Sequence, residues 1–202
     1  MAINFSDRSI VDFRSKMRGG GARTNLFEVT IEYPELLGLP TDSDGPKATG
    51  EFLIKAAEIP ASNLGNIPVP FRGRVLPVAG DRTFDPWTVT VINDTNFKIR
   101  DAMEKWSNLI NDLQTTQGEI NPEEYQTAAF VKQLSREGGD NPGPIDILRE
   151  YRFEGIYPNV VSSIPLDYGA TDQIEEFQVT FNYLFYSVPS GSTVTSAGGS
   201  LI

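Results

Sequence analysis

Residues 78–94 read Val78-Ala79-Gly80-Asp81-Arg82-Thr83-Phe84-Asp85-Pro86-Trp87-Thr88-Val89-Thr90-Val91-Ile92-Asn93-Asp94. Asp81 follows a glycine and reads as a turn residue, with Arg82 beside it. Asp85 precedes Pro86 and is expected to fix the bend into the next segment. From Trp87 to Ile92, Trp87, Val89 and Val91 alternate with Thr88 and Thr90, which predicts a half-buried strand. Asn93, Asp94 and Thr95 are all good helix caps. Beyond them, residues 96–113 carry Ile99, Ala102, Met103, Trp106, Leu109, Ile110 and Leu113 on one stripe at helical spacing. That spacing predicts an amphipathic helix packed on a sheet.

Outward from this stretch the chain reads mostly as strands. Phe27, Val29, Ile31 and Tyr33 alternate with Glu28, Thr30 and Glu32, predicting a strand over residues 25–33. Residues 34–50 read as a polar loop, 52–57 as an apolar strand, 59–70 as a proline-punctuated connection and 69–76 as a further strand. Pro68, Pro70 and Pro77 restrict this part to sheet edges or an extended hairpin, expected at about 51–76, because proline donates nothing to a ladder. Such a hairpin needs something to pack on, and a neighbouring copy is the natural candidate. Residues 114–124 read as a polar loop, 126–134 and 147–156 as strands around the turn EGGDNPGP. The clearest alternation runs from Ile174 to Tyr186. The expected fold is mainly β: an antiparallel β-sandwich or partial barrel with one packed α-helix. The expected organisation is a flexible helical arm at 1–21, its helix over residues 6–17 capped by Ser6 and followed by Gly19, Gly20 and Gly21, then a β domain at 22–187 and a mobile tail at 188–202.

Composition narrows the chemistry. The 202 residues contain no cysteine and no histidine, which removes disulfides, thiolate chemistry and the usual near-neutral general base. Residues 1–23 carry five basic against two acidic residues, and the rest of the chain carries 12 basic against 25 acidic. An acidic body repels nucleic acid rather than gripping it. No apolar run approaches the ~18 residues of a membrane span, and residues 1–13 carry Asp7 and Asp12 with no apolar core of a signal peptide.

Neither a phosphate-cradling glycine loop nor a metalloprotease or nucleophile-elbow motif is present. Asp42 and Asp44 resemble the start of a calcium loop, but its later ligands are missing. The carboxylate pairs Asp81/Asp85, Glu123/Glu124 and Glu175/Glu176 are poor catalytic candidates: Glu175 and Glu176, adjacent on a strand, point to opposite faces, and Asp81 and Asp85 read as turn and bend residues. No catalytic, cofactor-binding or metal-binding residue is therefore expected. One pattern does suggest a function. The polar faces of three predicted strands (Glu28, Thr30, Glu32; Thr88, Thr90; Glu176, Gln178, Thr180, Asn182) hold no lysine or arginine, as a wall that must not hold a polyanion would.

A family resemblance adds to this reading. The run Ala79 to Asp85, with Trp87 to Val91 and Asn93-Asp94, resembles the central signature of the tail tube proteins of T4-like contractile-tailed bacteriophages. Further pieces match in order: Arg23-x-Asn25-Leu26-Phe27-x-Val29, Ile67-Pro68-Val69, Pro158-x-Val160, Leu166-Asp167 and Phe177-x-Val179-Thr180. The resemblance spans about residues 22–186, and the loops 34–50 and 114–125 and the tail 187–202 depart from it. It implies a structural virion protein without enzymatic activity. Hexameric rings would stack into the inner tail tube, with strands of six subunits closing into one barrel around a lumen. The implied partners are further copies of the chain, the tail sheath, baseplate, tape measure and tail terminator proteins, and phage DNA passing non-specifically to the host cell. The implied location is the virion tail, assembled in the host cytoplasm. On this reading Glu28, Glu32 and Glu176 are lumen candidates, and Asp81, Arg82 and Asp85 are turn or subunit-interface residues. Two alternatives stay open: the inner tube of a DNA-free contractile injection device, and a carboxylate-based hydrolase on a β scaffold.

Overall fold

A computed structural model describes residues 10–17, 21–43, 45–136 and 147–189. The expected Ser6 cap, Gly19 and Gly20, Asp44, the 137–144 turn and the tail from 190 onward lie outside the described residues. The elements are α1 (Ile10–Lys16), β1 (Phe27–Ile31), α2 (Pro46–Leu53), β2 (Ile54–Ala57), β3 (Ser62–Phe71), β4 (Arg74–Phe84), β5 (Trp87–Ile92), α3 (Lys98–Ile110), α4 (Pro122–Tyr125), β6 (Thr127–Leu134), β7 (Ile147–Val161), β8 (Glu176–Asn182) and β9 (Phe185–Ser187). Strands pair in the order β1-β6-β7-β8-β5-β2, with β9 on β7, while β3 and β4 form a separate two-stranded sheet. The β2–β5, β5–β8, β7–β8, β7–β9 and β3–β4 ladders are antiparallel. The mainly β, antiparallel expectation is therefore met.

By contacts the chain divides into two compact units. The smaller takes in α1, Glu28 and the parts of β6 and β7 at 131–134 and 147–151. Within it Lys132 Nζ meets Glu28 Oε1 at 2.7 Å, and the Gln133 amide donates to the carbonyl of Leu26 at 2.8 Å. Ile10, Val11 and Phe13 on α1 are exposed.

The larger unit, residues 29–130 and 152–187, holds the main core. Alternation decides which side chains enter it: Trp87, Val89 and Val91 of β5 lie opposite Phe181, Val179 and Phe177 of β8, and all six are buried. Trp87 stacks on Phe153 of β7 at 4.6 Å and tilts against Phe181 at 5.4 Å. α3 closes this layer with Ile99, Ala102, Met103 and Trp106. The two indole N–H groups, which burial would otherwise strand, donate to Glu58 O and Tyr125 O, each at 2.8 Å. On the other face of the β5–β8 ladder Thr88 and Thr180 share a 3.1 Å hydrogen bond.

Several expectations are corrected. Residues 46–53, read partly as loop and partly as strand, are the helix α2. Pro46 occupies its first turn, where a missing N–H costs nothing, and Thr49 Oγ1 donates back to Gly45 O at 2.9 Å. α3 runs from Lys98 to Ile110 rather than over 96–113, so Leu113 is off the helix and exposed. Its entry is fixed by Asp94 Oδ1, which accepts from the Lys98 N–H at 3.0 Å. The polar loop 114–124 contains the start of α4, capped by Asn121. The strand expected over 174–186 breaks after Asn182, because Leu184 N–H donates to Glu154 O at 2.9 Å and diverts the chain into β9 beside β7. β7 runs on to Val161, beyond the expected 156.

Candidate assembly surface

The hairpin lies at Ser62–Phe71 and Arg74–Phe84, not at 51–76. Its turn is the two-residue Arg72-Gly73, both with positive φ (45° and 82°). A turn of this hand matches strand twist, and Gly73 supplies it without steric cost. The segment 59–70, expected as a connection, is mostly strand, because its prolines sit where a ladder does not need them. Counting from the turn, Phe71 and Arg74 exchange hydrogen bonds. Pro70 with Val75 and Pro68 with Pro77 are then pairs whose N–H positions face away from the partner strand. The outer edges of the hairpin are thereby poor templates for another strand.

Cross-strand register also sets the two faces. Ile67 lies opposite Val78, Val69 opposite Leu76 and Phe71 opposite Arg74, while Pro68 and Pro70 lie opposite Pro77 and Val75. The first face thus carries five apolar side chains, exposed by 53% (Ile67), 42% (Val69), 66% (Phe71), 61% (Leu76) and 42% (Val78). A contiguous apolar stripe left open to this degree marks an interaction surface.

Gly80 and Asp81, expected in a turn, lie within β4. Leu64 pairs with Arg82 and Asn66 with Ala79, so Gly80-Asp81 together face the single Gly65, which is a β-bulge. The two glycines allow a close approach here: a Cβ on Gly80 would stand 3.2 Å from Gly65 C, and one on Gly65 would stand 3.2 Å from Asp81 O, tight enough that the backbone would have to give by a few tenths of an ångström. Asp81 and Arg82 are exposed.

Asp85 sits at the hairpin root, where the chain bends into β5 as expected. Its N–H donates to Ala61 O at 3.3 Å, and its Oδ1 accepts from Asn63 Nδ2 at 3.1 Å. Its carbonyl accepts from the Tyr183 hydroxyl at 2.8 Å. Phe84 lies beside the rings of Tyr183 (5.8 Å) and Tyr186 (5.6 Å). Desolvation, with lesser contributions from Tyr186 and Asp85, pushes the Tyr183 phenol up to about 12, so it stays a donor through neutral pH. Phe84, Tyr183 and the hairpin face were missed from sequence. The alternation of Ile67, Val69 and Phe71 was the available signal, masked by the intervening prolines.

The base-free wall needs the largest correction. Every lumen candidate meets a lysine from a neighbouring element: Glu28 with Lys132 of β6 at 2.7 Å, Glu32 with Lys47 of α2 at 3.4 Å, and Glu176 with Lys55 of β2 at 2.7 Å. Of the three strands compared in sequence only β5 and β8 are neighbours, and the lysines arrive from elements between and beside them. α2 also engages Thr30, whose hydroxyl donates to Glu51 Oε1 at 3.2 Å. Among the described residues no group of three or more acidic side chains converges as a metal site.

The model of the phage tail tube protein family matches residues 22–189. The chain is 35% identical over 164 residues to the tail tube protein gp19 of Enterobacteria phage T4, covering 80% of this chain and 88% of that one. It is 29% identical over 177 residues to the tail tube protein of Serratia phage KSP90, covering 87% and 94%. Among solved structures, a chain of the anti-feeding prophage tube-terminating cap superposes with a TM-score of 0.57 at 16% identity, covering 84% and 91%. A chain of an extracellular contractile injection system's sheath/tube terminator superposes with a TM-score of 0.56 at 12% identity, covering 84% and 97%. These two likenesses bear on the fold alone.

Proposed function

The chain belongs to the phage tail tube protein family, and from that premise we propose that it assembles into hexameric rings that stack as the inner tube of a contractile tail. It is a structural component of the virion tail. The observation that carries the assembly reading is the hairpin β3–β4, whose apolar face is left largely open among the described residues. The sheet path also ends on β1 and β2, two edges whose pairing between copies would close a barrel and remove both.

The tube is read as the conduit for DNA leaving the particle. Sheath, baseplate, tape measure and terminator proteins are the expected partners, with assembly in the host cytoplasm. Of the three lumen candidates, Glu176 has the strongest support. It continues the polar β5–β8 face of Thr88, Thr90, Gln178 and Thr180, whereas Glu32 is engaged by α2. On this reading the wall avoids DNA by neutralising its lysine within an ion pair rather than by lacking lysines: Lys55 is held on Glu176 and offers phosphate less than a free cation would. Glu176→Lys, which leaves two unpaired lysines there, should slow DNA exit from assembled particles with tube length unchanged. Equal ejection rates would remove the residue from the lumen.

Electron microscopy of the purified protein, with and without a baseplate as nucleus, tests the main reading. Rings or tubes are expected, and a persistent monomer under both conditions would refute it. Identity to phage relatives across most of the chain favours a phage tail over a DNA-free device.

A further inference from the structure

We propose that the groove formed by the 165–176 segment is the receptor for the hairpin tip of a second copy of this chain. The proposal rests on the self-assembly reading above and adds where the tip goes. The groove is open and encloses about 600 Å³, lined by Pro165, Leu166, Asp167, Ala170, Ile174 and Glu175 among others. That volume lies in the range that takes a ligand of several side chains. Its apolar walls are bare: Leu166 is 84% and Ile174 70% exposed.

The rim is acidic. Asp167 Oδ1 accepts from Gly169 N–H at 2.8 Å, which shapes the loop, and Glu175 Oε1 accepts from Asn93 Nδ2 at 2.8 Å. Neither carboxylate has an ion-pair partner among the described residues, whereas Glu176 beside them is paired with Lys55. So the rim presents two uncompensated negative charges around an apolar floor.

The tip has the complementary composition. Phe71 and Val75 are 66% and 62% exposed and are interleaved with Arg72 and Arg74, giving Phe-Arg-Gly-Arg-Val. The Arg72 guanidinium rests over the Phe71 ring at 5.3 Å from its centroid, so the tip presents apolar surface and positive charge together. Arg74 is exposed and, among the described residues, meets no carboxylate. Two arginines on the tip match two unpaired carboxylates on the rim, and such complementarity sets register and partner choice. Tip and groove are different surfaces of one chain, so each copy offers one of each. A contact of that type is heterologous, so it extends beyond a dimer, into a closed ring or an open stack.

The chain contains no cysteine, so introduced thiols report on this contact alone. The variant V75C/L166C should form a ladder of disulfide-linked multimers on oxidation under assembling conditions, and each single variant should not. In parallel, R72E/R74E and D167K/E175K should each raise the concentration needed for assembly about tenfold or more, with thermal unfolding unchanged in R72E/R74E and lowered in D167K/E175K only by the loss of the Gly169 and Asn93 hydrogen bonds. Combining the two pairs should bring it back toward wild type. Tubes that form without a ladder, charge variants that assemble like wild type, or no recovery in the combined variant would overturn the docking site and leave the tube reading standing. A disulfide dimer from L166C alone would indicate groove-to-groove contact and equally overturn it. If the wild-type chain gives neither rings nor tubes, both readings fall.

Discussion

Replacing Val69 and Leu76 together by threonine tests the exposed face most directly. The two lie opposite each other on β3 and β4, and 42% and 61% of their surfaces are open. Fully burying such a side chain is worth ~1.5–3 kcal/mol. With about half already buried, roughly 1 kcal/mol per residue remains to be gained in assembly. Threonine keeps the branched shape that strands favour but brings a hydroxyl that resists a dry interface, so the pair forfeits about 2 kcal/mol. At 1.4 kcal/mol per decade, the critical concentration for assembly should rise roughly 30-fold. Light scattering against protein concentration gives the midpoint, and thermal unfolding of the monomer gives the control. Because the half of each side chain already buried is worth at most ~2 kcal/mol for the pair, the melting temperature should fall by no more than about 8 °C. An unchanged midpoint would refute the assignment of this face as an assembly surface. A collapse in melting temperature would show that the face belongs to the monomer's own stability.

Four further outcomes follow from the geometry. Tyr183→Phe removes the donor to Asp85 O and should cost about 1 kcal/mol, with amide exchange quickening at the hairpin root before the core. The raised Tyr183 phenol is worth most while neutral: its contribution is complete below the ordinary tyrosine value near 10 and is lost as pH rises toward about 12. Wild type should therefore lose stability over that window, and a Tyr183→Phe variant should lose less. Met103→Ala, at a fully buried position under α3, should cost ~2–5 kcal/mol in urea unfolding. Gly80→Val forces the bulge open and should disrupt assembly more than it lowers the melting temperature, since β3 and β4 form a sheet apart from the main one.

What could be read in sequence was whatever a single element decides by itself. The β5 strand, the Ile99, Ala102, Met103 and Trp106 part of the α3 stripe and the alternation of Phe177, Val179 and Phe181 need only a period and a buried face, and these stand as expected. α2 is hidden in the sequence because Pro46, Gly50 and the preceding Gly45 favour turns, and the tertiary contacts of its face outweigh that propensity. Pro68, Pro70 and Pro77 hide the hairpin in the sequence, since proline generally interrupts strands, whereas in a two-stranded ladder half the N–H groups are never used. The glutamate wall went wrong for a different reason. Whether a carboxylate is free depends on which strands are neighbours, and neither Lys55 nor Lys132 lies near its partner in the chain.

The prolines on the outer rails of the hairpin bear on timing. On the assembly proposed above, a tail consumes many copies, so a pool of free subunits would wait at high concentration with an apolar ribbon exposed. A ribbon with intact rails could recruit any extended chain, and that pool would drain into fibres. With Pro68, Pro70 and Pro77 in place, the ribbon accepts a partner only broadside, through a surface shaped to receive its face. The step that starts growth is then the first presentation of such a surface, and the waiting pool stays soluble because its stickiest element has been made unable to copy itself.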